Sequence, residues 1–324
     1  MLRPYLVALG ACSALAGPAA GATEFVAAGN SGALARSFAL PALGDGGVLR
    51  GGGQVRTTVD VANEYVSEGD CAVECITLDG ETRRISLDYR VGLGGGWDFS
   101  LNVPMVDRDG GFLDSWIQDW HGWFGLPNGG RELVADDQYR YRYEKDGVVL
   151  LDETEAADGL GDVAVGLGMA LGPNSALRTL LRLPTGDGTA LSGDSTGGAV
   201  WLDVGLPMSG GWDGYLAGGY SRNERGEVLT QMQNQEIFFG GAGVAAPLSQ
   251  NVRLVLQVNA HTRLYDGSGL TPLARPGVPL TVGLQFRTGA AGVVDIGFKE
   301  DLSVNGSPDF VFYVSVGSVP GKTR

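Results

Sequence analysis

Charge is scarce in this 324-residue chain: only 19% of residues are Asp, Glu, Lys or Arg, and acidic residues outnumber basic ones, 37 to 23. The formal net charge of −14 leaves no basic footprint for nucleic acid. Histidine is scarcer still, with only His121 and His261. Of the three cysteines, Cys12 lies in the N-terminal stretch, which leaves Cys71 and Cys75. Neither histidine is near them in sequence, so a metal centre lacks ligands, and no cofactor motif is present. In an exported chain the pair reads as a small disulfide or as two free thiols. Beyond the N-terminus no run of about 18 apolar residues exists, so no helix can cross a membrane. Mean hydropathy is nevertheless +0.04, and there are 54 glycines.

What is present is alternation. In residues 251–264, Val252, Leu254, Leu256, Val258 and Ala260 alternate with Arg253, Gln257, Asn259, His261 and Arg263. Successive strand side chains point to opposite faces, so one face is apolar and the other largely polar, with Val255 the exception. The run exceeds the usual strand of about 5–6 residues and suffices for a bilayer crossing of about 9–11. The pattern recurs at 54–67, 83–93, 97–106, 161–171, 177–183, 200–206, 212–221, 236–246, 280–287, 293–299 and 309–316. Residues 212–221 fit least well, because Tyr215, Leu216 and Tyr220 do not share one parity. Short connections at 94–96, 172–175, 208–211, 247–250 and 288–292 alternate with long ones. Outer-membrane barrels segregate short turns and long loops in this way; a sandwich has no reason to.

Residues 1–22 read as a secretory signal, with Arg3, an apolar core at 5–16 and Ala20-Gly21-Ala22 as the cleavage site. Residues 23–52 have little periodicity and are expected as a periplasmic lead-in that tucks under or into the barrel. The barrel spans 53–319, and 320–324 form a tail. Within the long excursion 107–159 the period changes. Leu113, Trp116, Ile117, Trp120 and Phe124 recur at helical spacing, with Asp114 as N-cap and Gly125 followed by Pro127 at the end. Asp146-Gly147 then marks a type I′ hairpin between 138–145 and 148–153.

Folded this way, the interior collects Arg56, Asp60, Arg84, Asp88, Arg90, Asp98, Arg178, Arg182, Asp203, Arg253, His261, Arg287, Asp295 and Lys299. The set is either a polar conduit that selects solutes or a paired network that fills a narrow barrel; charges turned from lipid point inward in both. Gly166, Gly168 and Ala170 on an inward face leave room for a ligand or a plugging segment. The 113–124 helix carries Trp116, Trp120 and Trp123. It is a lid at the barrel mouth or an interfacial amphipathic helix, and the concentration of Trp at membrane boundaries favours the second. Gly193-Asp194-Ser195-Thr196-Gly197 matches G-x-S-x-G, but no helix pattern follows it. Ser115 and His121 do not share a helix face, so enzymatic activity is the least favoured reading.

At 121–131, His121-Gly-Trp-Phe-Gly-Leu-Pro-Asn-Gly-Gly-Arg131, the sequence resembles a bacterial outer-membrane family catalogued only as a domain of unknown function, whose members carry H-x-x-F-G-L-P-x-x-x-R. The candidate loop motif joins Trp116 and Trp120, just ahead of this segment, to His121, Phe124, Gly125 and Arg131 within it. Gly159-Leu-Gly-Asp162 and Leu183-Pro-Thr-Gly-Asp187 are similar to segments of that family and of outer-membrane proteins assigned to phenol-degradation pathways, which resemble fatty-acid and aromatic-compound channels. The resemblance covers most of the mature chain and implies no substrate. Such barrels usually end at an aromatic residue, whereas this chain runs on past Val319 through Pro-Gly-Lys-Thr-Arg.

The expectation is an all-β fold: a transmembrane antiparallel up-and-down β-barrel of about 12 strands, with one long extracellular loop holding a short helix and a hairpin. A channel or transporter for small molecules, apolar ones included, in the bacterial outer membrane is the expected function. A structural or assembly-related closed barrel is the alternative, and an outer-membrane lipid hydrolase a distant one. The expected partners are outer-membrane lipids, the barrel-assembly machinery and an unidentified small-molecule solute.

Overall fold

Alternating parity becomes extended backbone throughout the computed structural model, which describes residues 25–26, 29–44, 46–125, 128, 130–186, 195–289, 292–303 and 305–318. The signal at 1–22 and the tail at 320–324 lie outside the described residues. β1 (Gly53–Asp70) pairs with β2 (Glu74–Gly94), and β2 with β3 (Trp97–Asp109). A hairpin of β4 (Arg140–Lys145) and β5 (Val148–Glu153) and a short β6 (Ala157–Leu160) follow. Then come β7 (Ala164–Gly172), β8 (Ser175–Arg182), β9 (Gly197–Pro207), β10 (Asp213–Asn223), β11 (Glu236–Pro247) and β12 (Val252–His261). β13 (Pro279–Thr288), β14 (Gly292–Asp301) and β15 (Phe310–Ser318) complete the series. β15 returns to β1, from Arg56↔Gly317 to Asn63↔Phe310. β1, β2, β3 and β7 to β15 thus close a ring of twelve antiparallel strands.

The wall is apolar outside and polar within. Leu254, Leu256 and Val258 face out, while Arg253, Gln257, Asn259 and His261 are buried inside. Ile85, Leu87, Leu167, Leu181, Val200, Leu202, Leu216, Leu284, Ile296 and Phe312 carry exposed apolar surface right round the ring. A continuous belt of that size is incompatible with water and fits the hydrocarbon of a bilayer.

One side of the ring is taller than the rest. At about 3.3 Å per residue the 18-residue β1 runs about 60 Å, more than the apolar band needs. Its upper half and that of β2 project as a ribbon. The hairpin β4–β5 extends this ribbon (Glu74↔Lys145 to Asp79↔Arg140), and β6 pairs with the top of β3. The Asp146-Gly147 turn has φ of 51° and 73°, the double positive φ of a type I′ turn. Cys71 and Cys75 form a disulfide at the ribbon tip.

The described part of the segment ahead of β1 lies inside the barrel. It climbs from the short-turn end, turns through a 3₁₀ helix at Leu34–Ser37 near the long-loop end, and descends; Phe25 N donates to Gly44 O at 3.3 Å. Two apolar clusters hold it. Near the short turns, Phe25 and Leu43 pack with Trp201, Tyr215, Phe239 and Val255. Near the long loops, Leu34 and Phe38 pack with Ile76, Tyr141, Ile237, Leu264, Tyr265 and Leu273. The two parity exceptions of the sequence, Val255 and Tyr215, are inward residues that meet this segment.

Helix α1 (Asp114–Phe124) takes the other side of the wall. Trp116 lies 5.1 Å from Phe310 and Trp120 lies 6.1 Å from Phe298, both rings being on outward-facing positions of β15 and β14. The helix is therefore no lid over the lumen. Gly125 ends it at φ 66°, but its N-cap is Leu113, without a side-chain cap bond. Asp114, expected as that cap, is instead the acceptor of a buried cluster: Asn63 Nδ2 donates at 2.9 Å, Asp137 N at 2.7 Å, and Arg131 forms an ion pair with it.

Candidate functional site

Inward parity brings charged side chains from separate strands into three groups. Arg56 Nη1 meets Asp295 Oδ2 at 2.9 Å, and Gln285 Nε2 donates to Asp295 Oδ1 at 2.9 Å. Lys299 Nζ sits 3.0 Å from Asp60 Oδ1 and donates to Ser31 Oγ at 3.1 Å. Asp98 accepts from Arg90 Nε at 2.9 Å, from Arg178 Nη1 at 3.4 Å and from Leu49 N at 2.7 Å, while Arg178 Nε lies 3.6 Å from Asp203 Oδ2. Buried charges need such partners, because the cost of desolvation otherwise exceeds the gain.

These side chains also grip the inner segment by its backbone. Arg90 and Arg178 both donate to Gly47 O. Arg182 donates to Arg36 O and to Ser37 O, each at 2.7 Å, and lies 3.7 Å from Asp162. Asn223 Oδ1 accepts from Ala39 N at 2.6 Å, and Glu64 Oε2 accepts from Ala33 N at 3.1 Å. Tyr141 on the hairpin donates to the same Glu64 oxygen at 2.9 Å. Burial, and then the Glu64 charge, hold the Tyr141 hydroxyl well above the usual phenol pKa. His261 lies with Nδ1 2.8 Å from Thr262 O and Nε2 2.9 Å from Asn30 Nδ2; a neutral ring protonated at Nδ1 satisfies both.

Arg253 and Arg287, also expected inside, lie at the short-turn end of the wall. Arg253 is buried at the short-turn end, where it pairs with Asp213 and donates to Gly211 O at 2.9 Å. Arg287 shares the parity of Gln285 but is exposed, because β13 runs out into its turn there. The glycine-lined face of β7 serves the ion pairs: a Cβ on Gly168 would stand 2.3 Å from Asp98 Oδ1 and 3.0 Å from Arg178 Nη1. That room is filled by Asp98 and Arg178.

A cavity of about 290 Å³ remains between the inner segment and the wall of β1, β2, β3, β7 and β8. Arg36, Arg84, Asp88 and Arg108 line it, together with Phe38, Leu40, Pro104, Val106 and Trp201. Arg84 Nη2 donates to Asn102 Oδ1 at 3.1 Å, and Asn102 Nδ2 donates to Asp88 Oδ1 at 2.7 Å. Arg36 and Arg108 were not singled out in the sequence. Arg108 continues the inward parity of Asp98, and Arg36 is a lone charge in an apolar stretch; both signals were there.

The remaining candidates lie elsewhere. Ser195 is buried, and its hydroxyl faces Arg182 Nη2 at 2.6 Å, whereas His121 Nδ1 lies 3.1 Å from Asn128 Oδ1 on the helix side of the wall. The two form no nucleophile–base pair. Arg131 is 3% exposed and anchors the loop: it pairs with Asp114 and with Asp309 at 3.0 Å, and its guanidinium stands 5.4 Å over the Tyr65 ring.

The family described as "Protein of unknown function (DUF3187)" matches residues 9–317. No curated protein matches the chain. Among solved structures, the COG4313 outer membrane channel from Pseudomonas putida F1 aligns with 85% of this chain and 98% of its own, at 12% identity and a TM-score of 0.54. The translocator domain of autotransporter NalP from Neisseria meningitidis aligns with 83% of this chain and 88% of its own, at 13% identity and 0.44. The toluene transporter TodX from Pseudomonas putida aligns with 91% and 98%, at 10% identity and 0.36. At these identities the first likeness shows the fold of an outer-membrane barrel, and the other two add no argument.

Proposed function

This chain belongs to the DUF3187 family, and from that premise we propose that it is an outer-membrane channel for small molecules, closed at rest by its own N-terminal segment. The observation that carries this is the segment's mode of attachment. The wall is complete without it, since the twelve strands hydrogen-bond to one another all round. Besides the two apolar clusters, the wall holds the segment through side chains that grip its backbone, at Ala33, Arg36, Ser37, Ala39, Gly47 and Leu49. Such bonds contribute about 0.5–1.5 kcal/mol each, or about 1.5–3 kcal/mol where the side chain is charged, and water or solute would replace them on withdrawal of the segment. A purely structural barrel needs no cavity beside its filling, and this lumen keeps one.

Planar-bilayer recordings test the reading. Full-length protein should give rare, brief openings, and a variant lacking residues 29–47 should conduct steadily. A variant that folds, as judged by heat-modifiable gel mobility, yet passes no current would favour the closed structural barrel instead.

A further inference from the structure

We infer that the cavity beside the inner segment binds a small monocarboxylate, held between Arg36 on that segment and Arg84 on the wall. The inference deepens the channel reading by naming a solute class, and it rests on that reading for access to the site. Among the described residues, Arg36 donates to Ser31 O at 3.3 Å and Arg84 to Asn102 Oδ1; neither forms an ion pair with a carboxylate. Five other arginines inside the wall each have one: Arg56 with Asp295, Arg90 and Arg178 with Asp98, Arg182 with Asp162, Arg253 with Asp213. Arg36 and Arg84 each keep a buried Nε with no hydrogen-bond acceptor. The charges acting most strongly on Arg36 are those of Arg84 and Arg108, ahead of Asp60 and Glu64. Two guanidiniums that repel one another across a cavity, with donors unspent, are short of an anion.

The rest of the lining sets the kind of anion. Asp88 and Asp60 border the same cavity, so a dianion such as phosphate meets like charge there. Phe38, Pro104, Val106 and Trp201 offer apolar and aromatic surface beside the arginines. A single carboxylate on a compact apolar body, with benzoate as the probe, matches both parts. Bound there, it would join wall to segment through its two oxygens.

Calorimetric titration of the full-length protein in detergent with benzoate tests the site, with benzamide as the neutral isostere and inorganic phosphate as the competing anion. One saturable benzoate site is expected, at least tenfold tighter than either comparison compound. Arg84→Gln and Arg36→Gln should each weaken benzoate tenfold or more while leaving heat-modifiable folding unchanged. Equal binding of benzamide, equal binding of phosphate, no saturable site, or undiminished affinity in the folded Arg84→Gln protein would each overturn the inference. A barrel without residues 29–47 that conducts, alongside a full-length protein that ignores benzoate, removes the carboxylate site alone. One that never conducts removes the channel.

Discussion

The ring of Phe25, ahead of the first strand, meets the ring of Tyr215 on β10 edge-on, with centroids 4.7 Å apart. Tyr215 is 1% exposed, and its hydroxyl donates to Asn259 Oδ1 at 3.3 Å, so the wall itself fixes the ring that receives Phe25. An aromatic pair of this geometry contributes about 0.5–1.5 kcal/mol beyond its buried area. Tyr215→Ala is therefore expected to raise the frequency of channel openings about 5- to 30-fold, for a loss of about 1–2 kcal/mol of closure. Openings no more frequent than in the parent protein would show that the segment does not gate.

Arg131 joins the excursion to the ring, since it pairs with both Asp114 and Asp309. Removing one member of a buried pair costs about 3–5 kcal/mol, because the partner charge is left behind. Arg131→Ala should expose 110–139 to limited proteolysis while the barrel keeps its heat-modifiable mobility. Protection equal to the parent's would mean that Trp116 and Trp120 hold the helix unaided.

The lipid side of the wall can be probed with Leu256→Arg, which places a charge on the outward face of β12. Near the bilayer midplane such a change costs about 2–4 kcal/mol. Leu248→Arg, at the adjoining turn, should cost under about 1 kcal/mol. Urea titration of vesicle-folded protein compares the two, and equal midpoints would contradict the membrane placement of the belt.

The Cys71–Cys75 bridge closes a very short loop at the ribbon tip. On the chain-entropy account it contributes about 2 kcal/mol, and only to the ribbon. Reductant should lower the unfolding temperature by a few degrees at most and leave the conductance unaltered. A collapse of the whole barrel on reduction would place the bridge in the folding core.

Strand order and ring closure were legible because lipid outside and charge inside impose a two-residue period on almost every segment. The same rule explains what was not legible. Val255 and Tyr215 break the period only because an apolar segment from elsewhere in the chain lies against them, and periodicity reports a face without naming its occupant. Helical spacing placed Trp116 and Trp120 on a helix but left its side of the wall open; the contacts to Phe298 and Phe310, far along the chain, decide that. The Asp146-Gly147 turn announced a hairpin, yet its union with the upper half of β2 follows from the unusual length of that strand. Arg287 had the right parity at the wrong height. Arg36 sat in a stretch with no period to interpret.

Because β1 closes against β15, the ring seals only when the last strand is in place, around the described part of the segment ahead of β1. A completed hoop of hydrogen bonds offers no sideways exit, so the inner segment can leave only lengthwise, through the mouth ringed by short turns. On the gating proposal it would leave on a leash, since its lower end runs directly into Gly53 at the start of the wall. Return is then a search within one molecule, over a distance of a few residues and independent of protein concentration. Closing should be quick and self-renewing, with the stopper never lost from the bottle.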